Sequence, residues 1–166
     1  MDDFQRELVE LLPRMRRFAR ALTGAGQTDA DDLVQTVVER ALARRDQWRP
    51  GTSLRSWVFT MMRNAWIDEM RTRKRRGAVT VGPELMEAQP DPATPDLETR
   101  RQAQGVREAL ASLPETQRAA VALVLVEGLS YAEAAEVLNV PVGTLTSRLV
   151  RGRLALMERL GEEMDT

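Results

Sequence analysis

The stretch at residues 130–153, SYAEAAEVLNVPVGTLTSRLVRGR, decides the fold class of this chain. Ser130 and Glu133 have the spacing of a capping box, which predicts that a helix begins directly after Ser130. Asn139 is a residue type that often ends a helix, and Pro141 is one that often opens the next. Two helices joined by about three residues, the first short and rich in alanine, are typical of a helix-turn-helix.

The second of these helices carries two different rows of side chains. Leu145, Leu149 and Leu156 repeat at the spacing of a buried row. A second row, at i, i+3, i+4 and i+7, holds side chains that donate to phosphates and base edges, namely Thr144, Ser147, Arg148 and Arg151. Gly143 leaves the helix N-terminus open to a phosphate. We therefore predict a DNA-binding surface, with a helical hairpin that has an ordinary solvated face as the alternative.

The composition predicts an all-α protein without catalytic chemistry. Of 166 residues, 43% are hydrophobic and 30% are charged, and neither cysteine nor histidine occurs. Disulfides, zinc fingers and Cys or His catalysis are thereby excluded. The sequence also lacks the glycine-rich motifs that bind nucleotides. We expect no enzyme, no cofactor and no metal site.

The N-terminal half predicts three helices. In the first, over residues 2–24, Pro13 should cause a break or kink or start a second helix, because an interior proline costs about 3 kcal/mol. In the next, capped by Thr28 or Asp29, an apolar stripe faces away from a polar row made of Asp31, Asp32, Gln35 and Glu39. No further cluster of carboxylates or histidines accompanies these residues to form a metal or acid–base site. We therefore expect a solvated face or one that docks a protein.

The third helix follows the loop DQWRPGTSL and ends in the basic run RTRKRR at 71–76. Thr52 or Ser53 should cap it. A basic surface beside an aromatic-bearing loop suits single-stranded DNA. The alternative is that Trp48, Trp57 and Trp66 are core residues and the arginines a solvated helix end; for Trp57 we favour the core.

Residues 78–99 hold four prolines and several acids and lack helical periodicity over most of their length. They predict a flexible linker between two small helical domains, 1–77 and 100–166. The tether spans roughly 75–80 Å when extended and roughly 25–30 Å as a relaxed coil.

Four motifs in this order resemble those of bacterial extracytoplasmic-function (ECF) RNA polymerase sigma factors. They are DADDLVQTVVERAL (29–42), WRPGTSLRSWVFTMMRN (48–64), LPETQR (113–118) and EGLSYAEAAEVLNVPVGTLTSRLVRGR (127–153). The runs at 40–71 and 126–144 also resemble the general-stress-response branch of alphaproteobacteria. The resemblance implies an alternative sigma factor that directs polymerase core to promoters and helps to melt them.

The resemblance assigns roles to residues. Sigma region 2, at 1–77, would dock on the β′ clamp of the polymerase through Asp31, Asp32, Gln35 and Glu39. It would also read the minus-10 element through Trp48, Arg49, Gly51, Thr52, Ser53, Arg63, Asn64 and Arg71. Sigma region 4, at 100–166, would meet the β flap and read the minus-35 element through Gly143, Thr144, Thr146, Ser147, Arg148 and Arg151. Thr146 departs from the Lys or Arg of many relatives, which leaves one DNA contact open.

The resemblance also names partners and alternatives. An anti-sigma factor is expected beside polymerase core and promoter DNA, and it could hold the two domains folded together. The two promoter elements lie roughly 60 Å apart, which only an extended tether can span. A sigma mimic and a stand-alone helix-turn-helix regulator are the alternative functions. The acidic N-terminus and the absence of any long apolar run predict a cytoplasmic protein without a membrane span.

Overall fold

Seven α-helices make up most of the residues that the computed structural model describes, which are 1–24, 27–77 and 96–164. They are α1 (Asp3–Thr23), α2 (Gln27–Ala43), α3 (Leu54–Arg75), α4 (Leu97–Ala111), α5 (Glu115–Val121), α6 (Tyr131–Leu138) and α7 (Val142–Met164). A 3-10 turn (Arg45–Gln47) precedes α3, and a π-helical turn (Ala122–Val126) follows α5. The described ranges contain no strand, and the all-α prediction is confirmed.

The predicted linker lies mostly outside the described residues. Its last three residues, 97–99, belong instead to α4, because Asp96 caps that helix by accepting a hydrogen bond from the backbone N–H of Thr99 at 2.6 Å. A capping bond of this kind satisfies one of the free donors at a helix start.

Helix α1 runs unbroken through Pro13, so the prediction of a break or a new helix at this proline was wrong, and the kink stays a prediction. Buried apolar side chains lie on both sides of it, including Leu8 and Met15. The carbonyl of Val9 loses its helical donor, but Val9 lies on the exposed side of the helix, where water can take the place of that donor. Burial of the apolar face outweighs the cost of about 3 kcal/mol.

The other helix starts follow the predictions in part. Ser53 caps α3 as expected, accepting from the N–H of Ser56 at 3.2 Å. Helix α2 already begins at Gln27, so Thr28 and Asp29 are not its N-cap. The Asp29 carboxylate instead accepts two hydrogen bonds from Arg73, at 2.8 and 3.1 Å.

Helices α1, α2 and α3 pack around a shared apolar centre. Phe18 and Phe59 are fully buried, with ring centroids 4.9 Å apart. Trp57 is half-buried with its ring edge-on to Phe4, whereas Trp66 is the most buried tryptophan, at 5% exposure. The aromatic part of this core therefore rests more on Phe59 and Trp66 than on Trp57.

The helix-turn-helix is formed by α6 and α7. Asn139 ends α6 in the left-handed conformation, with φ 54°, which lets the chain reverse within three residues. Leu145 and Leu149 are buried as predicted. At the start of α6 only half of the capping box forms: the N–H of Glu133 donates to the Ser130 hydroxyl, but the Glu133 carboxylate accepts from that hydroxyl rather than from the backbone.

The two helical groups, α1–α3 and α4–α7, pack directly on one another. Helix α1 contacts α5, and α3 contacts α6. Buried side chains of both groups form one apolar cluster. We call the boundary between the two groups the seam.

Candidate nucleic-acid and protein-docking surfaces

The first two turns of α7 present a polar row above a buried one. Ser147 and Arg151 are exposed, and Thr144 and Arg148 are half-buried. Beneath them Leu145 and Leu149 anchor the helix in the core. Gly143 is exposed, with open space where a side chain would begin. The helix can therefore offer both its N-terminal backbone and two arginines to a phosphate chain.

Two hydroxyls of α7 already have acceptors within the helix. Thr146 Oγ1 donates to the carbonyl of Val142 at 2.8 Å, and Ser147 Oγ donates to that of Gly143 at 3.1 Å. Thr146 also falls outside the i, i+3, i+4, i+7 row, on another side of the helix. Of the two, Ser147 is the better placed to meet a ligand approaching that row.

The loop at residues 48–53 is a tight turn. Thr52 returns to the carbonyl of Arg49 through both its N–H (3.2 Å) and its hydroxyl (2.6 Å). Gly51 has φ 93°, a conformation that strongly favours glycine, and nothing lies within 4 Å of the position of its missing Cβ. Ser53 is committed to capping α3. The turn thus leaves an open approach at Gly51 and the side chain of Arg49 exposed.

Trp48 packs against the core beside this turn. It is half-buried against the core, and its ring centroid lies 5.7 Å from that of Phe4. Its indole N–H is buried, and no acceptor among the described residues reaches it. The tryptophan therefore positions the loop and keeps one unused donor.

Arg63, Asn64 and Arg71 lie on α3, where Arg63 donates to the amide oxygen of Asn64 at 3.2 Å. Partial burial lowers the pKa of Arg63, and the nearby charges of Arg148 and Arg71 lower it further. The structure thus brings together two arginines, Arg63 and Arg148, that the sequence assigns to different promoter elements. No spacing in the sequence indicates this neighbourhood.

The acidic face of α2 is exposed along its length. Asp31, Gln35 and Glu39 line one side of an open groove between α2 and α1, and Gln35 donates to Glu39 at 3.4 Å. The sequence did not identify the opposite side, where α1 contributes Arg16 and Arg20. The floor is apolar, formed by Leu12, Val34 and Val38. Asp32 is exposed beside the groove.

Within the described residues, no three Asp or Glu side chains lie close enough together to hold a metal ion. Among the same residues, no helix is both long and apolar enough to cross a membrane.

Two family models match the chain. Residues 8–63 match the Sigma2 domain of PhyR, and residues 103–156 match Sigma-70, region 4. The ECF RNA polymerase sigma factor EcfG of Rhodopseudomonas palustris is 37% identical over 157 residues, which cover 93% of this chain and 83% of that protein.

Solved structures resemble the chain over both helical groups. The sigma factor RpoE of Bartonella quintana, crystallised with the anti-sigma factor NepR, is 34% identical with a TM-score of 0.81, covering 97% of this chain and 98% of that one. The anti-anti-sigma factor PhyR of the same organism, in complex with NepR, is 19% identical with a TM-score of 0.58, covering 93% of this chain and 49% of that one. This second likeness is one of fold alone.

Proposed function

The chain belongs to the ECF RNA polymerase sigma factors, and from this premise we propose how its residues divide the tasks of promoter recognition and polymerase docking. It is an alternative sigma factor, which directs polymerase core to particular promoters and assists their melting. In our proposal region 2 corresponds to α1–α3 and region 4 to α4–α7, with the linker between them.

Region 4 reads the minus-35 element through α7. The row of Thr144, Ser147, Arg148 and Arg151 enters the major groove, where arginine is suited to paired contacts with guanine. Gly143 receives a phosphate at the helix N-terminus. The position of this row above buried Leu145 and Leu149, with Ser147 and Arg151 exposed, is the observation that carries the proposal. Thr146 serves the helix and contributes least to recognition.

Region 2 reads the minus-10 element through the turn and α3. The open side of Gly51 and the exposed Arg49 receive a base that leaves the duplex, an event that costs a few kcal/mol. Thr52 and Ser53 hold the turn in shape, and Trp48 packs against the core beside it. Along α3, Arg63, Asn64 and Arg71 contact the backbone where the strands separate.

The groove between α1 and α2 receives the β′ clamp of polymerase core. Asp31, Gln35 and Glu39 supply one wall, Asp32 is exposed beside it, and the apolar floor supplies buried area. Region 4 meets the β flap. An anti-sigma factor is the further partner we propose, because the chain resembles RpoE of Bartonella quintana over its whole length.

We assign no catalysis to the chain itself. It acts in the cytoplasm, where polymerase lies, and its similarity to EcfG and RpoE favours the general stress response as its setting.

The decisive experiment is run-off transcription with purified core polymerase on a promoter library. We expect start sites that depend on the added chain and share a minus-35 and a minus-10 motif. Core polymerase alone is the control. A chain that binds core but yields no new start sites would contradict the proposal.

The match of residues 8–63 to the Sigma2 domain of PhyR favours a second candidate, a sigma mimic that sequesters an anti-sigma factor. Such a mimic would bind the anti-sigma factor but give no specific transcript in the same assay. The arginines of α7 favour the first candidate, because a mimic has no need of them.

A further inference from the structure

Glu127 is a buried carboxylate whose cation comes from the other side of the seam. The residue is 4% exposed, although it follows the π-helical turn at the end of α5. Arg17 of α1 binds it with two hydrogen bonds, Nε to Oε1 at 2.9 Å and Nη2 to Oε2 at 3.3 Å. A buried carboxylate is costly unless it is paired in this way.

The π-helical turn gives Glu127 this position. The N–H of Glu127 donates to the carbonyl of Ala122, five residues back, at 2.9 Å. This bond adds one residue to the turn relative to an α-helix and so changes the direction in which Glu127 points. Arg55 of α3 completes the contact, donating to the backbone carbonyl of Glu127 at 3.4 Å and lying 3.5 Å from the Glu133 carboxylate.

Arg118 crosses the seam in the opposite direction. It is 8% exposed, and its guanidinium donates to the carbonyls of Ala21 and Leu22 at the C-terminal end of α1. These carbonyls have no donor within their own helix, and the end of a helix attracts a cation. Gly24 leaves room for the guanidinium, since a Cβ there would lie 3.4 Å from Arg118 Nη2.

The packed arrangement cannot serve both promoter elements. Arg148 lies close enough to Arg63 for its charge to help lower the pKa of Arg63, after the larger effect of burial. The elements they would contact lie roughly 60 Å apart. Promoter engagement therefore requires the seam to open, and the two like charges facing each other oppose its closure.

We propose that the seam is an autoinhibitory contact, locked by Glu127 with Arg17 and Arg55 and by Arg118 on the end of α1, and that it must open before the chain binds polymerase productively. The inhibitory role rests on the proposed function, but the contacts that form the lock lie entirely within this chain. The lock requires no anti-sigma factor to form. An anti-sigma factor would then stabilise an arrangement that the chain already prefers.

The first test measures the distance between the two helical groups. The chain has no cysteine, so Glu10→Cys and Glu158→Cys, both at exposed positions, give one label on α1 and one on α7. We expect one short distance in the parent. With Arg17→Glu, which sets two carboxylates against each other, the distance should lengthen by on the order of 10 Å and broaden, as the length of chain between the two helical groups allows.

Two further variants serve as controls for this measurement. The exchange Arg17→Glu with Glu127→Arg should restore the short distance, and Arg6→Glu, on the exposed face of α1 away from the seam, should leave it unchanged. Circular dichroism checks that the helices persist. If Arg17→Glu lost its helices, the distance measured in the exchange variant would be the test of the lock. A short distance in folded Arg17→Glu, or a failure of the exchange to restore it, would overturn the lock.

The second test titrates core polymerase against the same variants. Arg17→Glu should bind core about tenfold more tightly than the parent, because a rare open state lowers the apparent affinity by its population. An opened chain with unchanged affinity would overturn the inhibitory role. If neither the parent nor any variant supported run-off transcription, the proposed function would fail. The distance measurement would still show whether the lock exists.

Discussion

Gly152 of α7 lies directly against Val121 of α5: a Cβ on Gly152 would come 2.6 Å from Val121 Cγ2. We expect Gly152→Ala to lower the free energy of unfolding by about 1–3 kcal/mol, the usual cost of overpacking. Urea denaturation followed by circular dichroism measures it. Gly161→Ala on the same helix is the matched control, since it meets open space and should be neutral or stabilising by up to about 1 kcal/mol.

Arg148→Ala tests the reading of the minus-35 element. It should weaken binding of a matching duplex by about 1–3 kcal/mol and reduce discrimination at one base pair. Fluorescence anisotropy with matched and mutated duplexes measures both. Affinity for core polymerase should change far less, and only through the lost repulsion with Arg63 across the seam. Arg153→Ala, exposed but outside the polar row, is the control; an equal loss in both variants would indicate a general charge effect.

Asp32→Ala tests docking on polymerase. We expect affinity for core polymerase to fall by more than about 1 kcal/mol while duplex binding stays unchanged, because the carboxylate lies on α2, apart from the DNA row. A pull-down titration measures it, with Glu10→Ala on α1 as a control for loss of acidic charge. The assignment fails if Asp32→Ala and Arg148→Ala impair the same step.

Arg118→Met tests the contact with the end of α1. The substitution keeps much of the apolar stem but leaves the carbonyls of Ala21 and Leu22 on α1, and that of Leu113 before α5, without their charged donor. We expect a loss of about 1.5–3 kcal/mol in the free energy of unfolding, the range for hydrogen bonds to charged groups. Arg159→Met, exposed on α7, is the control and should change stability by less than about 0.5 kcal/mol.

Gly24→Ala should weaken the same contact without removing a charge. Its φ of 76° costs a residue with a Cβ about 1–2 kcal/mol, and the new methyl group would touch the Arg118 guanidinium. Thermal unfolding should show a lower midpoint. Gly77→Ala, also at positive φ but in open space, reports the backbone cost alone. Equal effects would mean that the approach of Arg118 adds nothing.

The sequence was a good guide to features that repeat along one helix. The rows of α7 follow from spacing alone, because neighbours on a helix are set by its period. Residue type narrowed the cap of α3 to Thr52 or Ser53. The acidic row of α2, like the rows of α7, was visible from its spacing. Its partner wall was not, because Arg16 and Arg20 belong to α1 and only packing brings the two helices together.

Pro13 and Glu127 show where local patterns failed. Pro13 predicts an interruption, but burial on both sides of it decides the outcome. Nothing in the sequence around Glu127, which precedes a glycine, indicates that this residue is buried. Its burial depends on a π-helical turn and on an arginine far away in the chain, neither of which composition or periodicity reveals. Trp48 is half-buried against the core, which fits in part the core position that the sequence left open as an alternative.

The extra residue in the π-helical turn thus determines the direction in which the Glu127 carboxylate points, and so whether it reaches Arg17, which is far away in the sequence. Removing one residue within Ala122–Val126 would return that turn to α-helical winding and swing the following side chain by roughly 100°. The helix-turn-helix would keep every residue of its reading surface, yet lose its alignment with the first three helices. A deletion that alters no DNA-facing side chain would then remove the contact across the seam and leave promoter reading intact.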